Sequence, residues 1–115
     1  MSYVSGFMAA VPEENKAAYL ESVRKSWPLF KEYGATGIRE CWEDVVPEGE
    51  VTSFPMAVKR EEGEKVVFSW ILWPDAETAR RCWESMEMDA RWQDMSMPFD
   101  GKRMIWGNFE TLFEA

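Results

Sequence analysis

Glu40 and Trp42 stand two residues apart in Thr36 to Asp44, a stretch that reads as a β-strand, so both side chains fall on one face. A carboxylate among indole rings loses hydration. Its pKa then rises, which suits it to general acid or base chemistry. Phe68 and Trp70, in a later apolar run, can supply the walls of such a pocket. Arg103, in the string Asp100-Gly101-Lys102-Arg103, can set a cation at its mouth to attract a carboxylate or phosphate. The same residues also have a purely structural reading. Glu40 can pair with Arg39, with Arg103 or with a cation of a second subunit, and the Asp-Gly string can be a turn whose Asp serves backbone N–H groups.

Other chemistries lack their residues. The chain has no histidine, so there is no His-ligated haem, no His general base and no Ser-His-Asp or Cys-His dyad. The seven glycines are scattered and form no phosphate loop. Two cysteines without histidine make neither a zinc site nor a disulfide framework. Cys41 and Cys82 read as reduced, partly buried thiols. Glu43, Asp44, Glu48 and Glu50 lack the calcium-loop pattern and read as a solvated surface. Met86, Met88, Met95 and Met97 read as adaptable core filler in preference to a soft-metal site. No metal and no cofactor is expected.

The elements that must position these groups come from patterning. Tyr3 to Val11 reads as a first strand, closed by Pro12. From Glu13 to Tyr33, Leu20, Val23, Trp27 and Phe30 recur at spacings of three and four and predict a helix, with Pro28 imposing a kink or break near Ser26–Trp27 and a cap at Gly34. The second strand, 36–44, leads into an acidic turn, and Phe54 to Arg60 regains strand character. Val66 to Trp73 is apolar on both alternating sets of positions, so this strand needs cover on both faces. Pro74 ends it. Asp75 caps a second long helix with the inward stripe Ala79, Cys82, Trp83, Met86 and Ala90. Asp100-Gly101 suits a tight turn with positive φ, and Arg103 to Phe113 reads as the final strand.

The chain of 115 residues fits one domain, 1–115. Its net charge of −8 argues against nucleic acid and anionic lipid as partners. No apolar run approaches the roughly 20 residues of a membrane span, and the N-terminus lacks signal-peptide features. A cytoplasmic location is therefore expected. The order β-α-β-β-α-β predicts an α+β fold of the ferredoxin-like type, with an antiparallel sheet and two helices on one face. The other sheet face is left apolar. A second copy packed against it is the expected cover, which gives a homodimer.

Several strings resemble a known family: Pro28-Leu29-Phe30-Lys31-Glu32-Tyr33-Gly34-Ala35, Glu40-Cys41-Trp42-Glu43-Asp44, Val66-Val67-Phe68-Ser69-Trp70 and Met97-Pro98-Phe99-Asp100-Gly101-Lys102-Arg103-Met104. Over nearly its whole length the chain resembles the YbaA-like family of small bacterial proteins, which has no assigned activity. The resemblance implies a dimeric α/β barrel. One departure is Met88-Asp89-Ala90-Arg91-Trp92, where relatives resemble Asp-Pro-Arg, so no proline marks the end of the second long helix. Two functions follow as expectations. The first is a homodimeric protein that binds a small apolar ligand or acts as an accessory. The alternative is a cofactor-independent monooxygenase or isomerase that holds an apolar or aromatic substrate among Trp42, Phe68 and Trp70.

Overall fold

The computed structural model describes residues 2–115. Four strands form one antiparallel sheet: β1 (Tyr3–Pro12), β2 (Gly37–Trp42), β3 (Glu64–Trp73) and β4 (Ile105–Glu110), in the spatial order β2-β3-β1-β4. The two longest strands, β1 and β3, pair along their whole length and lie at the centre, from Tyr3 opposite Trp73 to Pro12 opposite Glu64. The strands and long helices follow the expected β-α-β-β-α-β order, but the extra strand expected between β2 and β3 is absent. Phe54 to Arg60 is not a strand, because Ser53 accepts the Met56 backbone N–H at 3.1 Å and Pro55 fits a first helical turn. Residues Phe54–Ala57 therefore form a short helix, α2.

Helix α1 spans Lys16–Glu32, entered through a 3₁₀ turn at Glu13–Asn15. It runs through Pro28 as one segment, against the expected break. Pro28 and Arg24 both lie on the exposed side, where water can replace the lost hydrogen bond. Of the expected inner stripe, Val23, Trp27 and Phe30 face the core and Leu20 does not. Leu20 is exposed, and its neighbour Tyr19 turns inward. The helix ends as the sequence predicts. Gly34 has φ of +107°, its N–H bonds the Lys31 carbonyl, and the Ala35 N–H bonds that of Phe30.

Helix α3 (Ala76–Ser85) starts at Asp75, whose Oδ1 accepts the Thr78 backbone N–H at 2.8 Å. It stops earlier than its predicted stripe. Met86 is its C-cap and Ala90 is exposed at the start of a 3₁₀ turn (Ala90–Asp94). Asp89 opens that turn by accepting the Arg91 N–H, and this replaces the missing proline stop. Gly101 does not adopt positive φ. Asp100 instead caps a 3₁₀ turn, Gly101–Arg103, and this turn delays β4 to Ile105.

Helices α1 and α3 pack on the same sheet face. Trp27 and Phe30 of α1 and its C-cap Tyr33, with Ala79, Cys82 and Trp83 of α3, meet Ile71 and Trp73 of β3. Trp73 is fully buried, and its Nε1–H donates to Ser5 Oγ at 3.0 Å, whose hydroxyl in turn donates to Asn108 Oδ1 at 2.7 Å. On the opposite face, α2 and its flank cover only one end, where Val58 packs on Ala10 and Val66. The rest of that face is open. Phe68 keeps 41% of its exposure and Phe109 59%.

Candidate functional site

The central strand decides where the sequence-predicted residues go. In β3, Val67, Ser69, Ile71 and Trp73 face the helices, while Phe68, Trp70 and Leu72 face away. Glu40 of β2 stands directly opposite Ser69, and Trp42 opposite Val67. Glu40 and Trp42 therefore share the helix-facing side, as expected. Phe68 and Trp70 stand on the other side of the sheet, with ring centroids 5.5 Å apart. No single cleft can hold Trp42, Phe68 and Trp70, because a layer of backbone separates them.

Arg103 is also elsewhere. It forks onto Glu64 at 2.7 and 2.8 Å, bonds Asp100 at 3.0 Å and reaches the Lys59 carbonyl at 2.9 Å. It ties the turn before β4 to the start of β3 and does not line the cavity around Glu40. The acidic stretch is similarly committed. Glu43 accepts from Arg60 and from the Val66 backbone N–H, and Glu48 pairs with the same arginine. Burial pushes the Glu43 pKa up, but those donors outweigh it and hold the carboxyl below its ordinary value.

Between the helices and the sheet lies a cavity of about 380 Å³. Its floor is Ala9 of β1, Ile38 and Glu40 of β2, and Ser69 and Ile71 of β3. Tyr19, Val23 and Phe30 of α1 form one wall. The irregular segment after α3 closes the other, with Trp92, Phe99 and several methionines. The Tyr19 hydroxyl donates to Glu40 Oε1 at 2.6 Å. Ser69, directly opposite on β3, turns its hydroxyl toward the same side of the sheet. Burial raises the Glu40 pKa, although the Tyr19 bond and the neighbouring Ser69 hydroxyl partly counter it. Burial and then the adjacent Glu40 charge lift the Tyr19 phenol well above its usual range. Trp42 sits at the end of this face against the buried cluster of Ala9, Val11 and Val67, with Lys16 Nζ 5.2 Å from its ring centroid.

Sequence patterning alone passes over Tyr19 and Ser69. Both left a signal. Tyr19, Val23 and Phe30 follow helical spacing, and Ser69 is the one polar residue in the run Val66 to Trp73.

The family model described as "Protein of unknown function (DUF1428)" matches residues 2–101. The chain belongs to this family. It is also 53% identical over 116 residues to the "Uncharacterized protein YbaA" of Escherichia coli K12, covering 99% of each chain. The YbaA protein of Shigella flexneri matches to the same extent. These similarities bear out the resemblance seen in the sequence and carry no assigned chemistry. Tyr19, Glu40 and Ser69 all fall within the matched span. No helix among the described residues is long and apolar enough to cross a membrane.

Proposed function

We propose that this single-domain protein binds a small, largely apolar molecule in the helix–sheet cavity and acts as a cytoplasmic homodimer. The cavity carries the binding reading. Its volume falls within the roughly 300–1,000 Å³ of small-molecule sites, its walls are mostly apolar, and a few polar groups converge at one point, Glu40. Methionine thioethers in the wall suit a site that adapts to its ligand. Binding accounts for this arrangement without a chemical step. No activated nucleophile or metal-ligand cluster stands beside Glu40 among the described residues.

The assembly follows from the other face of the sheet. Strand order β2-β3-β1-β4 with α1 and α3 on one side supports a ferredoxin-like reading, whose second face calls for cover. That face presents Val4, Met8, Phe68, Trp70, Ile105 and Phe109 around Gly6 and Gly107. It is apolar and shallow, and a second copy in two-fold symmetry offers the same chemistry in return. Pairing two such sheets builds the dimeric α/β barrel that the sequence resemblance implies. The free thiols of Cys41 and Cys82 suit a reducing compartment.

Native mass spectrometry of the protein purified from its own host tests the binding reading. The expected spectrum is a two-chain species carrying an added small mass per subunit, lost on denaturation. A spectrum with no retained mass, together with a cavity that stays empty to apolar probes, would overturn it.

A further inference from the structure

Glu40 is a carboxylate without a cation. It makes no ion pair among the described residues, and the groups that act on it are burial, Tyr19 and Ser69. The cavity wall repeats this pattern. Helix α1 contributes Tyr19 as its one titratable group there, β2 contributes Glu40, and β1, β3 and the segment from Met86 to Met104 contribute none. The nearest basic residues are committed outside. Arg39 alternates to the opposite side of β2, Arg103 is held by Glu64 and Asp100, and Lys16 lies over the Trp42 ring. Elsewhere in the chain, half-buried carboxylates have partners: Glu43 has Arg60, and Glu64 has Arg103.

From this geometry we infer that the cavity is built for a cationic amphiphile, an amine on an apolar body whose ammonium group completes the Glu40 site. The inference rests on the binding reading above and names its ligand class. A carboxylate offers about four acceptor positions. Tyr19 uses one of them, which leaves acceptors free for ammonium N–H groups. Around that point the wall is apolar, with Phe30, Ile71 and Trp92 to receive a hydrocarbon or aromatic body. At about 30 Å³ per water, the cavity displaces on the order of a dozen waters, the volume of a ligand of roughly ten non-hydrogen atoms. The net charge of −8 favours approach of a cation and disfavours an anion.

Octylamine, 1-octanol and octanoate share one apolar body and differ in the head group. Their affinities for the full-length protein can be compared by calorimetry at pH 7.5. Methionine methyl ¹³C shifts report whether the cavity is the site, through Met86, Met95 and Met104 against exposed Met88. The expected result is octylamine binding about tenfold or more tighter than octanol, with octanoate weakest. Glu40→Gln should erase the amine preference and leave octanol binding in place. Equal binding of amine and alcohol, tightest binding of octanoate, or a preference that survives Glu40→Gln would overturn the inference while leaving the cavity reading intact. Failure of all three to move the cavity methyls would overturn both. Should Glu40→Gln not fold, the wild-type protein still decides the matter. Protonating Glu40 by acidification must reduce the octylamine preference, and a preference unchanged with pH would contradict the assignment.

Discussion

The relay from Trp73 through Ser5 to Asn108 offers a test of how the core is held. Ser5 is fully buried, receives the indole N–H of Trp73 at 3.0 Å and donates to Asn108 at 2.7 Å. Ser5→Ala removes one oxygen and hardly any volume, so no large cavity forms. Its cost lies in the groups left behind. The Trp73 indole N–H is sealed from water and loses its acceptor, at about 1–3 kcal/mol. Asn108, on strand β4 at the sheet edge, can turn to water and should add about 0.5 kcal/mol. Together these give about 1.5–3.5 kcal/mol, or a fall in Tm on the order of 10 °C for a chain of this size. Urea unfolding at fixed protomer concentration, with an unchanged m-value, is the assay. The mechanism also requires non-additivity. Trp73→Phe removes the donor, so the double variant should cost clearly less than the sum of the single ones. A Ser5→Ala loss below about 0.5 kcal/mol, or strict additivity, would refute the reasoning.

Three further outcomes follow from the same contacts. Burial raises the folded-state pKa of Glu40, so its contribution to stability falls as pH rises from the unfolded value near 4.5 through the folded one. Glu40→Gln should remove that decline and gain on the wild type as pH rises above the unfolded value in melting curves, unlike a variant that merely loses a contact. Glu64 has the opposite sign. Arg103 holds its carboxyl below the ordinary value, so stability present at neutral pH is lost on acidification. Arg103→Met should lower the urea midpoint at pH 7 and flatten that acid loss. The Cys82 thiol is fully buried and its pKa is pushed up to about 12 by burial, so at pH 8 iodoacetamide should reach Cys82 only on unfolding.

Much of the fold was readable in residue patterning. The long helices, the Gly34 stop, the Asp75 cap and the three strands bordered by proline or glycine signals all stand near their expected places. Local chemistry overrode apolar patterning at Phe54 to Arg60, where a serine cap and a proline outweigh strand propensity. At Asp100-Gly101 a capping aspartate produced a 3₁₀ turn in place of a tight one with positive φ.

The candidate site was half legible. Alternation correctly put Glu40 with Trp42, but the choice of β3 residues across from them depends on pairing register. A shift of one residue exchanges Ser69 for Phe68 or Trp70. Arg103 looked free in the sequence because its partner Glu64 is 39 residues away. Tyr19 was hidden by Leu20, the more hydrophobic neighbour, which faces out.

In the proposed dimer β3 is covered twice, by its own helices on one side and by a second copy on the other. Sedimentation velocity at micromolar concentration, on the wild type and on Phe68→Glu, measures this directly. The expected result is a wild-type species of twice the 13.4 kDa chain mass and a folded monomer for the variant. A wild-type chain that sediments as a monomer, or a Phe68→Glu protein as firmly dimeric as the parent, would contradict it.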